Sequence, residues 1–110
     1  MGASKTDHFT KRQNTIALLA RAFGHPARVA IMEHLSKADR CVCGDIVAEL
    51  PLAQPTVSQH LKELKNAGLI KGSIEGNSIC YCIDEKTMDR VQQYFSQFSS
   101  GLQKKKKDCC

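Results

Sequence analysis

Six cysteines stand in three close pairs along the 110-residue chain: Cys41/Cys43, Cys80/Cys82 and Cys109/Cys110. A thiolate is a soft donor, suited to zinc, copper(I) and trivalent arsenic or antimony. Two cysteines one residue apart make a short chelate, and a disulfide closed within such a pair would be strained. Cys80 and Cys82 alternate along an expected strand and so point to one side. Ile79, Tyr81 and Ile83 take the other side as core candidates, which leaves the pair facing solvent. No apolar run approaches the ~18 residues of a membrane helix, and the N-terminus lacks an apolar signal segment. A cytoplasmic location is therefore expected, where thiols stay reduced and read as ligands or redox groups rather than as a disulfide framework. Met1-Gly2 with Thr6, and the basic run before Cys109-Cys110, match short lipidation patterns, but nothing between them reads as a membrane-targeted enzyme.

Other chemistries find little support. There is no Gly-rich phosphate loop, no pair of carboxylates on one expected face and no Ser/His/Asp order with supporting context, so an enzyme is not expected. His8, His25, His34 and His60 have no ligand spacing, and His25 reads as a helix N-terminal residue.

The elements that must position the cysteines follow from periodicity and punctuation. A chain of this length makes one modest domain. Residues 1–9 read as an N-terminal extension, 10–102 as the domain and 103–110 as a flexible, basic, Cys-terminated tail. Thr10-Lys11-Arg12-Gln13 has the form of a capping box. The helix it opens sets Ile16, Leu19, Ala20 and Phe23 on one face, and Gly24 stops it. Pro26 suits the first turn of a second helix with a stripe of Ala27, Ile31, Leu35 and Ala38. A short third helix from Gly44 or Asp45 to Leu50 would follow Cys41 and Cys43 directly. Pro51 ends it, Pro55 sits at the first position of a fourth helix reaching Ala67, and Gly68 closes that one. Leu69–Ile74 and Ile79–Ile83 read as strands of a hairpin whose turn contains Gly76 and Asn77. A last helix begins near Asp84 or Glu85. Its stripe of Met88, Val91, Phe95, Phe98 and Leu102, together with the first helix, is expected to form a dimer interface.

The fourth helix carries a second kind of chemistry. Val57, Leu61 and Leu64 form a seam toward the core, whereas Ser58, Gln59, Lys62 and Asn66 point away, with Thr56 and Lys65 on the flanks. Hydroxyls, amides and lysines are what base edges and phosphates accept. With the short helix and turn before it, this helix reads as the second of a helix-turn-helix. The hairpin adds Lys71, Asn77 and Ser78 as a wing. The net charge of +5 is weak support, because Lys104–Lys107 and Asp108 contribute +3 and leave only +2 for residues 1–103.

His25-Pro26-Ala27-Arg28, Cys41-Val42-Cys43-Gly44-Asp45, Thr56-Val57-Ser58-Gln59-His60-Leu61, Leu64-Lys65-Asn66-Ala67-Gly68-Leu69 and the Gly76…Tyr81 hairpin occur in an order and spacing that resembles the ArsR/SmtB (arsenical-resistance) repressors. The resemblance covers roughly residues 12–98. It implies a mainly α fold with a small β-hairpin, a winged helix-turn-helix of order α-α-α-α-β-β-α. It also implies a homodimer joined through first and last helices, which blocks a promoter until an inducer binds. The family's reading helix falls on Gln54–Ala67, which brings Gln54 and His60 into the DNA-contacting set. Arsenic-responsive members carry Cys-Val-Cys at Cys41–Cys43 and a third cysteine three residues on, where this chain has Ile46. Either the sensor works with two thiolates, or the missing donor is expected from Cys109 or Cys110 on the tail, with Cys80 and Cys82 the weaker choice. The family's zinc site on the last helix needs histidines that do not follow Asp84 and Asp89 here, and its cadmium site needs cysteines ahead of Cys41.

The expected function is thus a DNA-binding repressor that needs no obligatory cofactor. A thiophilic inducer, trivalent arsenic or antimony, would release it from its operator, with zinc or another soft metal as a variant. A repressor of the same fold that senses oxidation or persulfide, and a zinc-stabilised winged-helix module that binds protein, are the alternatives.

Overall fold

The computed structural model describes residues 8–38, 41–43, 50–75 and 78–105, with backbone alone at 43, 75, 78 and 103–105. Helix α1 (Lys11–Phe23) begins at the expected capping box. The Gln13 N–H donates to Thr10 Oγ1 at 3.0 Å, and the Thr10 N–H donates to Gln13 Oε1 at 2.9 Å. Helix α2 (Pro26–Lys37) is capped by His25, whose Nδ1 accepts from the Ala27 N–H at 3.0 Å. Helix α3 (Gln54–Ala67) carries Pro55 in its first turn and ends at Gly68, whose φ of 88° lies in the left-handed region. Gly68 and Leu69 donate to the carbonyls of Lys65 and Leu64, each at 3.0 Å, closing a Schellman turn that aims Leu69 straight into the core.

The strands are β1 (Val42–Cys43), β2 (Ile70–Glu75) and β3 (Ser78–Ile83) in one antiparallel sheet of order β1-β3-β2. The β2–β3 hairpin lies where the alternation placed it, shifted by one residue at its ends. Strand β1 was not expected, since two residues carry no period of their own. The predicted short helix over residues 44–50 lies, except for Leu50, outside the described residues. Helix α4 (Glu85–Lys105) starts behind Asp84, whose Oδ1 accepts from the Thr87 N–H at 3.2 Å. It runs past Leu102, so residues 103–105 are helical rather than part of a disordered tail. Gln and Lys are good helix formers, and this is enough to extend the last turn.

The core gathers around Ile31, Leu64, Leu69 and Val57, all essentially inaccessible. Of the two expected stripes, Leu19, Ile31 and Leu35 are buried, while Ala20 and Ala38 are exposed and Ala22 and Met32 are buried instead. Helix α3 packs on α1, α2 and β2, and α2 packs on β3. The reading helix is therefore held from several sides. On α4, Met88 and Val91 pack against the core, but Phe95, Phe98 and Leu102 are 48%, 55% and 71% exposed. An apolar groove of about 350 Å³ runs beside them, lined by Leu19, Phe23, Met88 and Phe95 among others.

Candidate nucleic-acid interface and thiol cluster

Val57, Leu61 and Leu64 bury the inner seam of α3, and this decides what its other side presents. Gln54, Thr56, Ser58, Gln59, Lys62, Lys65 and Asn66 are all exposed, as the helical angles required. Glu63 is half-buried and accepts from Gln59 Nε2 at 3.1 Å, one turn along the same helix. A base edge approaching Gln59 would have to compete with that carboxylate.

His60 departs from the expectation. It is 9% exposed and lies on the inner side of α3, so it is not available to base edges. Arg28 Nε donates to His60 Nδ1 at 3.1 Å, and Arg28 Nη1 donates to the Ala22 carbonyl at 3.1 Å. The His25 ring stands 4.4 Å from the His60 ring, centre to centre. The His-Pro-Ala-Arg motif thus braces the reading helix against α2 and the end of α1. The motif by itself assigns Arg28 no role. The available signal was that His60 falls beside the apolar seam, where a polar ring needs a partner.

Burial pushes the His60 imidazole below its ordinary value of 6.5, the charges of His25 and Arg28 push the same way, and Glu63 opposes them. The folded chain therefore binds this proton less readily than the unfolded one, and stability falls as pH drops below about 6.5. Urea midpoints measured near pH ~7.5 and ~5.5 are expected to be lower at the acid pH, with a smaller gap in His60→Gln. An equal gap in variant and wild type would contradict this role.

The hairpin lies against the end of the reading helix. A side chain at Gly72 would place its Cβ 3.2 Å from Tyr81 Cε1 and 3.5 Å from Lys65 Cδ and Cε. The missing side chain therefore lets the stem of Lys65 lie over the sheet. Lys71 is exposed on β2. The side chain of Ser78 and all of Asn77 lie outside the described residues. Ile74 and Ile79, paired across the hairpin, are 80% and 49% exposed, so Ile79 is not a core residue. The hairpin reaches past the core there, whereas Tyr81 and Ile83 on the same face pack against it.

The thiols are arranged differently from the expectation. Cys41 and Cys82 are joined by a disulfide, with their Cα atoms 4.5 Å apart. Cys80 is also disulfide-bonded and is 1% exposed. These residues are therefore neither reduced thiols nor a solvent-facing pair. The register explains why. Val42 pairs with Tyr81 and Cys43 with Cys80, so Cys41 falls opposite Cys82 in the antiparallel ladder. Directly opposed residues share a face, so β1 and β3 set four cysteine positions on one side of the sheet. Strand β2 adds Lys71 opposite Cys82 and Ser73 opposite Cys80. Cys80 and Cys82 do alternate onto one side of β3, but a third strand lies along the edge of β3 that a two-stranded wing would have left open. Among the described residues, no three His, Cys, Asp or Glu side chains form a metal-binding group. Asp84 caps α4 and Asp89 is exposed. Ile46, Cys109 and Cys110 lie outside the described residues.

Known proteins resemble this chain in sequence and in fold. The family model described as "Bacterial regulatory protein, arsR family" matches residues 25–71, from the α2 cap to the first residues of β2. An uncharacterised HTH-type transcriptional regulator of Methanocaldococcus jannaschii is 37% identical over 78 residues, covering 69% of this chain and 86% of that protein. The arsenical resistance operon repressor of Staphylococcus xylosus is 27% identical over 78 residues, covering 71% of this chain and 74% of its own. An ArsR-like transcriptional regulator from Rhodococcus sp. RHA1 superposes with a TM-score of 0.73 at 18% identity, over 87% of this chain and 90% of that one. Among the described residues, no helix is long and apolar enough to cross a membrane. The winged helix-turn-helix, the exposed polar face of α3 and these matches lead to one conclusion: the chain belongs to the ArsR family and is a DNA-binding transcriptional repressor, not an enzyme.

Proposed function

We propose that this repressor works as a homodimer and leaves its operator when trivalent arsenic or antimony binds the cysteine thiolates of β1 and β3. The observation that carries the reading is the bond between Cys41 and Cys82, because it brings two sulfurs from distant parts of the sequence into direct contact. Cys80, one register step along and opposite Cys43, extends the same row. Once reduced, such a row supplies more than the two sulfurs of Cys-Val-Cys and makes good the absence of a cysteine at Ile46. The tail cysteines are then not required. The similarity to the Staphylococcus xylosus repressor supports arsenic as the inducer.

The site is tied mechanically to the DNA-reading surface. Strand β1 lies ahead of α3 in the chain, and β2 leaves α3 through the Schellman turn at Gly68. Gathering β1 and β3 sulfurs around one arsenic shifts both supports of the reading helix together. Coupling of ~1–3 kcal/mol lowers operator affinity about 5–150-fold, enough for derepression. In the dimer, two α3 helices would reach half-sites about one helical turn apart, ~34 Å.

Titrating the reduced, DNA-bound protein with arsenite and, separately, with zinc tests the inducer. The DNA is a duplex selected from a random pool by the reduced protein. Release by arsenite is the expected result, and retention at saturating arsenite would sink the reading. The DNA face has its own test. Lys62→Gln is expected to lower the slope of log affinity against log salt by ~0.9 if Lys62 neutralises one phosphate. An unchanged slope would remove Lys62 from the interface.

A further inference from the structure

Resting on that reading of the thiols, we propose that the same sulfurs form a redox gate: oxidation to disulfides preserves operator binding and closes the site to arsenic. A sulfur engaged in a disulfide is no longer a thiolate and cannot ligate a soft ion. Cys41, Cys82 and Cys80 are all engaged in this way. The bonded form nevertheless carries the whole described reading surface. Thr56, Ser58, Gln59 and Lys62 are exposed, and α3 sits on its supports α1, α2 and β2. The cysteine positions occupy the sheet face opposite Val42, Tyr81 and Ile83, the residues that pack toward the core. The Cys41–Cys82 bond joins strands that are already neighbours, at a Cα separation within the ordinary disulfide range. Closing it therefore needs no movement of the reading helix. Arsenic, which must draw in more than one opposed pair, does need such movement.

The oxidant is a small-molecule disulfide. The Cys82 thiolate attacks one of its sulfurs, forming a mixed disulfide and expelling one small thiolate. The Cys41 thiolate then attacks the Cys82 sulfur, forming the Cys41–Cys82 bond and expelling the second. For each bond closed, that of Cys80 included, two protein thiols give up two electrons and two protons, and one small disulfide receives them as two thiols. A phosphine reductant reverses the step. Under oxidising conditions the repressor would thus stay on its operator whatever the arsenic level.

The full-length protein is oxidised with glutathione disulfide, or reduced with a phosphine, and the Cys41–Cys82 linkage is verified by peptide mapping. Duplex affinity is then measured with and without arsenite, and bound arsenic is weighed by native mass spectrometry. The oxidised protein is expected to bind the duplex within about threefold of the reduced protein, to take up no arsenic and to stay bound. Phosphine should restore both uptake and release. Loss of the duplex on oxidation alone would overturn the gate and make oxidation itself the signal. Equal arsenic uptake by both forms would also overturn it. If the reduced protein takes up arsenic and the oxidised does not, yet the duplex is never released, the gate stands and the inducer reading falls. Uptake by neither form overturns both.

Discussion

A protein carrying Phe95→Glu and Phe98→Glu is expected to sediment as a folded monomer and to bind operator about 10²–10⁴-fold more weakly. Both rings lie on α4, roughly half exposed, with centres 6.2 Å apart, and Tyr94 stacks edge-on against Phe98 at 5.4 Å. Beside them runs the apolar groove between α1 and α4. In the proposed homodimer a second copy would lay its own α4 against this face, and two charges per protomer would then oppose each other in a desolvated seam. Within one chain the same positions reach water, so the substitutions leave the core around Leu64 and Ile31 intact. The affinity loss follows from unlinking two half-sites, since each protomer carries a single reading helix. Sedimentation and a cooperative thermal melt separate this outcome from misfolding. A variant that remains a dimer with wild-type affinity would assign the α4 face some other role.

The second large effect concerns release. Cys41→Ser with Cys43→Ser should bind operator like the reduced wild type and remain bound in arsenite, which abolishes the about 5–150-fold weakening expected of the wild type. Serine keeps the size of these residues but offers a hard oxygen in place of a soft sulfur. Cys43 lies on β1, Cys41 directly precedes it, and neither belongs to α3, so the resting affinity is not expected to change. Cys109→Ser with Cys110→Ser should release normally, because β3 replaces the tail as the second source of sulfur. Normal release from the β1 double variant would place the inducer elsewhere.

Much of this molecule was legible from its residues, and the misses have definite causes. The seam of Val57, Leu61 and Leu64 fixed the outward face of α3, and the capping box at Thr10 and the glycine at 68 fixed helix ends. These signals are local, which is why they were readable. The pairing of Cys41 with Cys82 depends on a two-residue strand meeting a partner 41 residues away. No period reveals such a contact, so the sequence did not join these two cysteines. His60 was misplaced for another reason. It sits next to Leu61 at the edge of the seam, and only the position of Arg28 on a different helix shows that the ring points inward. Ile79 alternated correctly, but the hairpin extends beyond the core that would have buried it.

The claim that the β1 and β3 sulfurs receive the inducer is tested most directly by the arsenic X-ray absorption spectrum of the reduced, arsenite-loaded protein. The account predicts about three sulfur neighbours per arsenic in the wild type. At least one should be lost when Cys80→Ser and Cys82→Ser are combined, which leaves only Cys41 and Cys43, and none in Cys109→Ser with Cys110→Ser. A full sulfur shell in the Cys80/Cys82 double variant, or its loss in the tail variant, would contradict it.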